Sequence, residues 1–335
     1  MSRVLVTGGT GFVAGWCIAL LLDAGHDVVT TVRTPDREHE VRAAVATTGA
    51  TGSLAFATAD LSRDHGWSDA MTGCDYVLHL ASPLTVDGGD VESILAVALD
   101  GTLRVLAAAE QARVKRVVLT SSCAAATPPA SQLDGTVDET CWTDADEAGL
   151  SAYRRSKVLA ERAAWDHVAG DGRVELTTVL PAAVFGPALS ASAVGSLRVI
   201  AALLDGSAIA LPRLGFEVVD VRDVAAAHVR AMTAAGAAGQ RFIVSGELVW
   251  FAEIADILRA RLGHDGARVP TQTLTDDDFR AVVALSPDLE TLLPLLGRSL
   301  RHSSAKARRV LGWRSRPATE TIEDSARCLL SFNHG

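Results

Sequence analysis

Short, almost continuously apolar runs alternate with longer amphipathic stretches over the first half of the chain. Arg3–Thr7, Asp27–Arg33, Leu54–Ala59, Tyr76–Ala81, Arg116–Ser121 and Glu175–Leu180 read as strands. Such unbroken apolar runs are expected of strands covered on both faces. Between them, Phe12–Ala24, Glu38–Thr47, Val91–Ala112 and Tyr153–Val168 carry helical periodicity, and Gly25 marks the stop of the first helix. This order predicts an α/β fold with a doubly wound parallel sheet and right-handed crossovers. After Pro181 the rhythm breaks. A helix is expected near Val194–Leu204, a strand at Glu217–Asp220, a helix over Asp223–Ala235 and a strand at Arg241–Ser245. From Trp250 onward the pattern is mostly helical. The expected division is a large domain over residues 1–180, rejoined by 217–246, with a smaller helical lobe from 181–216 and 247–335.

Composition narrows the class. Hydrophobic residues make up 48% of the 335 and charged ones 21%, which is globular material. Acidic residues outnumber basic ones by 40 to 31, a net charge of −9 that argues against a nucleic-acid partner. The uncharged window Leu176–Leu197 contains Pro181 and Pro187, so it reads as a buried strand followed by a loop rather than a membrane span. The chain runs directly into its first strand, so no secretory signal is expected. Its five cysteines show no metal-ligand spacing, which suits isolated thiols in a reducing cytoplasm. The cluster Asp276-Asp277-Asp278 reads as a solvated helix start, and the seven Lys/Arg between Arg298 and Arg316 as a solvated face.

Thr7-Gly8-Gly9-Thr10-Gly11-Phe12-Val13-Ala14-Gly15 joins the first strand to the first helix. Gly8 permits a tight turn, and Gly11 lets the backbone approach a pyrophosphate. The phosphates would then face the free N–H groups at the helix start, Phe12 and Val13. This is the context that turns a glycine run into a Rossmann dinucleotide fingerprint. The second strand ends in Arg33 with no acid before Asp36, where an NAD site wants a carboxylate. A guanidinium there suits the 2′-phosphate of NADP(H), and Arg37 could add a second cation. Asp60-Leu61 would border the adenine. Leu80-Ala81-Ser82 supplies small residues where the backbone meets the cofactor.

Tyr153 and Lys157 lie four apart at the start of a helical pattern and so project from one face. A phenol with a pKa near 10 is a weak acid at neutral pH, and a neighbouring ammonium stabilises its phenolate. Ser121 and Ser122 end the fifth strand, at the carboxyl edge where open α/β sheets bind ligands. A serine there can hold a carbonyl beside the tyrosine. His79 reads as a strand-end histidine with a packing role, and Trp142 and Trp250 as packing aromatics.

Together TGGTGFVAG, HLASP (His79–Pro83), TSS (Thr120–Ser122), YRRSK and LPAAVFGP (Leu180–Pro187) resemble the extended short-chain dehydrogenase/reductase family. Within it, the branch of dihydroflavonol, cinnamoyl-CoA and microbial aldehyde/ketone reductases is the most similar. SKVLAERAAW, VVDVRDVAAAHVRAM and KARRVLGWRSRP also fit that branch. The resemblance implies Tyr153 as proton donor, Lys157 as its pKa-lowering partner and ribose ligand, and Ser122 as the carbonyl-orienting hydroxyl. It implies Thr120 and the strip Pro181–Val184 beside the nicotinamide, with Val184 bonding through main chain. It implies an NADPH-dependent reductase of aldehydes or ketones; the apolar, alanine-rich lobe and loops suit a hydrophobic small-molecule carbonyl compound, and a monomer or homodimer is expected. No metal is expected. Ala14 departs from the usual third glycine, and Ala98 stands where many members carry an asparagine of a proton relay. An NAD-dependent nucleotide-sugar epimerase or dehydratase, or a non-catalytic NADP sensor, are the alternatives. Arg33 speaks against the first and the retained Tyr/Lys pair against the second. Substrate choice is expected from the lobe and from the loops after Leu84 and Pro187, with Phe185, Ser190 and Ser192 where the pocket begins.

Overall fold

The computed structural model describes residues 1–83, 91–170, 173–193 and 195–333. The chain builds β1 (Arg3–Thr7), α1 (Phe12–Asp23), β2 (Asp27–Val32), α2 (Glu38–Ala46), β3 (Leu54–Thr58) and α3 (Trp67–Met71). It continues through β4 (Tyr76–His79), α4 (Val91–Gln111), β5 (Arg116–Thr120), β6 (Thr136–Val137), α5 (Ala152–Ala169) and β7 (Glu175–Pro181). The rest comprises β8 (Ala183–Phe185), α6 (Arg198–Asp205), β9 (Gly215–Asp220), α7 (Val221–Thr233), β10 (Gln240–Val244) and β11 (Glu247–Trp250). Then follow α8 (Phe251–Leu262), α9 (Asp276–Leu285), β12 (Arg301–His302), α10 (Ala305–Leu311) and α11 (Ala318–Asn333).

Seven parallel strands form the main sheet in the order β10-β7-β5-β4-β1-β2-β3. The order runs outward in both directions from β1 and β4, so their carboxyl ends flank the crevice where doubly wound sheets take ligands. Val4, Leu5 and Val6 of β1 and Val117 and Val118 of β5 are fully buried, because helices cover both faces. Helix α1 packs on one face with α7, in a core that includes Ile18, Leu21, Val224 and Phe242. On the other face Val105, Leu106 and Trp67 pack over Leu5 and Val77.

The lobe holds a second, three-stranded sheet, β11-β9-β8, which the sequence pattern did not show. Ala183–Phe185, expected within a loop, pairs in parallel with β9. Glu217–Asp220, expected to rejoin the large domain, is the centre of this small sheet, whereas α7 and β10 do return to the main one. Ile200, Leu203, Ile254, Leu258 and Ile322 fill the lobe core, and Phe185 lies in it against Phe216 rather than on a pocket wall. The cluster Asp276–Asp278 does start a helix, with Thr275 Oγ1 accepting from Asp278 N at 3.1 Å. Leu84 and Val194, where a substrate loop and a helix start were expected, lie outside the described residues. Among the described residues, no helix is long and apolar enough to cross a membrane.

Two of the motifs turn out to clasp each other. Asp220 takes a fork from Arg222, and Asp223 accepts from Arg316 N at 2.6 Å while its carbonyl takes the Trp313 indole at 2.8 Å. The basic stretch is therefore no uniform solvated face. Arg316 pairs with Asp223, and Arg298 is buried.

Candidate active site

The glycine loop is locked from both sides. Gly8 has φ +73°, and a Cβ there would stand 3.1 Å from Ala81. A Cβ on Gly9 would meet Thr30 Oγ1 at 2.4 Å. Gly8 N donates to Thr31 Oγ1 and Gly9 N to the Thr31 carbonyl, tying the turn to β2. Gly11 caps α1 without a side-chain bond, and the first turn holds no acid. The N–H groups at Phe12 and Val13 are thus left for an anion. Thr7, expected at the cofactor, spends its side chain on the scaffold. Its Oγ1 accepts from Leu80 N at 3.0 Å and Ala81 N at 2.9 Å, which sends the hydroxyl proton to His79 Nδ1 at 2.8 Å. Burial, helped by the charge of Lys157, lowers His79 to a pKa of about 3, so it stays a neutral acceptor.

Arg33, Arg37 and Asp60 converge on one pocket of about 400 Å³ at the ends of β2 and β3. Sequence reading missed two further groups in it, Arg63 and His65, which sit in a loop with no regular pattern. The Trp67 indole donates to the Asp60 and Arg63 carbonyls and Arg104 to that of Leu61, which fixes the loop. Arg37 forks onto Glu40, leaving Arg33 as the exposed cation of the pair. Burial works against the Asp60 carboxylate, but bonds from Ser62 and the charges of Arg33 and Arg63 outweigh it and lower its pKa.

The catalytic candidates meet at the other end of the crevice. Ser122 and Tyr153 line one cavity of about 420 Å³ together with Pro181, Ala182 and Ala183. Lys157 lines the adjoining crevice with Ala81, Ser82 and Thr120. The two serines of the strand end are unlike. Ser121 Oγ donates to Glu161 Oε2 at 2.6 Å, whereas Ser122 Oγ accepts only from Ala124 N at 3.1 Å and faces the cavity. Thr120 Oγ1 bonds His228 Nε2 at 2.7 Å. His228 Nδ1 donates to Val224 O, so the threonine donates, and burial lowers the histidine to a pKa of about 4. Lys157 is buried, with Nζ 6.0 Å from the Tyr153 ring centre and 3.5 Å from the Thr120 carbonyl. Burial lowers its pKa to about 8, against the pull of Glu161. Tyr153 lies deep in the protein yet is 43% exposed, because it faces the cleft. Burial raises its pKa and the Ser122 hydroxyl only partly offsets this, so the lowered phenol expected from the sequence is not a property of the protein alone.

Val184 lines neither cavity, and its carbonyl takes the Ser196 hydroxyl. Behind the cleft, Glu161 is 1% exposed and bonds Ser121, Thr178 and Arg241. Arg241 lies 3.6 Å over Trp142. This cluster was invisible in the sequence because β10 brings Arg241 from 80 residues beyond Glu161.

A protein-family model described as the NAD dependent epimerase/dehydratase family matches residues 4–245. The chain belongs to this family, the extended short-chain dehydrogenase/reductases. It is 38% identical to "Cinnamoyl-CoA reductase CAD2" of Medicago truncatula over 85% of this chain and 88% of that protein. It is 32% identical to "Ketoreductase azaE" of Aspergillus niger over 98% of both. Yeast methylglyoxal/isovaleraldehyde reductase Gre2 complexed with NADPH superposes with a TM-score of 0.81 over 99% of both chains, at 29% identity. Within the family, then, these relatives are reductases.

Proposed function

We propose that the protein reduces an aldehyde or ketone to the alcohol with NADPH. The observation that carries this is the meeting of Ser122 and Tyr153 on one cavity wall beside buried Lys157, at the carboxyl edge of the sheet. The protein fits the cofactor: an uncapped helix start, a turn with no room for a Cβ, and a cationic pocket where a 2′-phosphate belongs. Gly8, Gly11, Phe12 and Val13 hold the pyrophosphate, Arg33 with Arg63 the 2′-phosphate, and Asp60 and Leu61 the adenine. Thr7, through its lock on Leu80 and Ala81, shapes the wall that continues into Ser82. Thr120, Lys157 and Pro181 border the nicotinamide end. When bound, NADPH supplies the hydride that passes from C4 to the carbonyl carbon.

Ser122 Oγ, beside Tyr153 on the cavity wall, donates to the substrate oxygen and turns the carbonyl toward Tyr153. Tyr153 holds its proton on Oη in the resting protein, since burial disfavours the phenolate. It gives that proton to the developing alkoxide. Lys157, cationic below a pH of about 8, stabilises the phenolate left behind. Residues 1–180 and the returning α7 and β10 bind cofactor; the lobe selects substrate. Phe216, Leu248, Leu295 and Leu300 give the cavity an apolar body, which favours a hydrophobic carbonyl compound.

The test is NADPH consumption, followed by absorbance, across a panel of aldehydes, aryl ketones and keto esters. Turnover is expected with NADPH and far less with NADH. Tight NADPH binding without turnover of any carbonyl would point to a sensor, and copurified NAD to an epimerase. Tyr153→Phe is expected to cost about 10²–10⁴ in kcat, the range of a general acid, and to leave NADPH affinity nearly intact.

A further inference from the structure

We propose that the cavity beside Tyr153 carries a built anion subsite, so that the substrate is a carbonyl compound bearing a carboxylate. This rests on the reductase reading and specifies what that reading leaves open. Two guanidinium groups, Arg298 and Arg154, line the cavity, and neither forms an ion pair with a carboxylate among the described residues. Arg298 is only 6% exposed. Its Nη2 donates to the carbonyls of Pro128 at 2.9 Å and Pro129 at 3.2 Å, while its buried Nε has no partner.

An arginine cannot escape such a place by losing its proton, so the buried guanidinium keeps both its charge and its unmet Nε–H. Burial lowers the pKa of both arginines, the sign of charges held where water is scarce. The carboxylate of the cavity wall, Glu217, is already taken. It accepts from His302 N at 2.6 Å, His302 Nδ1 at 2.5 Å and Ser245 Oγ at 2.8 Å. Glu147 acts on both arginines through space without bonding either; its Oε1 accepts from Ala130 N and its Oε2 is buried without a hydrogen-bond partner. Glu217 acts on Arg298 through space as well, so the full charges balance, and what stays unmet is the buried Nε–H, which neither carboxylate bonds. With both Nη2 protons spent on the proline carbonyls, a carboxylate oxygen takes a single charge-assisted bond from the Nε–H. With its anion on Arg298 and its apolar body along Leu248, Leu295 and Leu300, the carbonyl end is left to Ser122 and Tyr153.

The experiment compares kcat/KM for 4-formylbenzoate and its methyl ester, and for 4-oxopentanoate and its ethyl ester, with NADPH. The acid is expected to exceed its ester by about tenfold or more, the worth of one charge-assisted bond. Arg298→Met should bring the ratio of acid to ester close to one. Esters preferred by the native protein, or a ratio unmoved by Arg298→Met, would overturn the proposal. Should that variant not fold, inhibition of the native protein decides: benzoate is expected to compete with the aldehyde at least tenfold better than benzamide, and equal inhibition overturns the subsite. If neither acid nor ester consumes NADPH, the reductase reading fails instead. A thermal shift with benzoate but not benzamide would then still uphold the subsite, and its absence would sink it.

Discussion

Arg241 and Arg298 are both buried, and the fold treats them in opposite ways. Arg241 forks onto Glu161 at 2.8 and 3.2 Å, donates to the carbonyls of Glu139, Cys141 and Ala125, and sits over the Trp142 ring. Arg298 has two proline carbonyls, an unpartnered Nε and an open cavity beside it. The first cluster shows that this scaffold can satisfy a buried guanidinium completely when its task is internal. Where the shell is left incomplete, the missing partner belongs outside the chain. The same contrast separates Ser121, committed to Glu161, from Ser122, open to the cavity.

The largest effect expected is on the satisfied side. Arg241→Met leaves Glu161, 1% exposed, with no cation bonded to its carboxylate. Breaking a buried pair in this way costs about 3–5 kcal/mol. Denaturant unfolding should show that loss as a lower midpoint, and the activity that survives should keep the acid-to-ester ratio of the native protein. A loss below about 1 kcal/mol would mean that the cluster is not the internal brace described here.

A smaller effect is expected at the exposed cations. Arg33→Asp places a carboxylate where the 2′-phosphate would lie and where NAD-type sites keep one. The ratio of kcat/KM for NADPH over NADH should fall about 10–100-fold, with the KM of the carbonyl substrate hardly changed. An unmoved cofactor ratio would remove Arg33 from the site and leave Arg63 and His65 to carry it.

These contrasts also mark what the sequence made legible. The main sheet, the glycine turn and the Tyr153/Lys157 pair are local patterns: a strand, a loop and a helix read in one direction, or two residues one helical turn apart. Of the small sheet only β9 was legible, as the strand expected at Glu217–Asp220; β8 and β11 span three and four residues and owe their pairing to distant neighbours. Thr7 was placed near the right atoms, but its partner lies 72 residues away on β4, so its role as a lock could not be read. Arg298 was read as part of a solvated basic run because sequence shows charge and not burial. It is the Pro128–Pro129 segment, brought over by pairing of β6 with β12, that covers it.

Lys157 is a third buried cation and lies between the two extremes, bonded weakly to one carbonyl. Its pKa near 8 puts half of the molecules in the neutral form at that pH. If the cation is needed to stabilise the tyrosinate, kcat/KM for reduction should fall about threefold between pH 7.5 and 8.5. Stability should move the other way. The unfolded lysine titrates near 10.5 and so binds more protons than the folded one between pH 8 and 10.5, which makes this group's contribution rise with pH. A fall in activity with no fall in unfolding free energy over that window would identify a titration within the site. Parallel loss of both would assign the effect to the fold.

The smallest change is expected where the comparison began, and it is the sharpest check on it. Arg298→Met removes two bonds to proline carbonyls, but it also removes a buried charge that no carboxylate among the described residues contacts directly. These terms oppose each other, and apolar replacement of buried charges is often neutral or stabilising. Unfolding free energy should therefore change by less than about 1.5 kcal/mol, under half the cost of Arg241→Met. If both variants cost the same, Arg298 is a brace like Arg241 and its unfilled Nε says nothing about ligands. If Arg298→Met is nearly free, the fold itself gives no reason to keep an arginine there, and the reason has to lie in what the cavity binds.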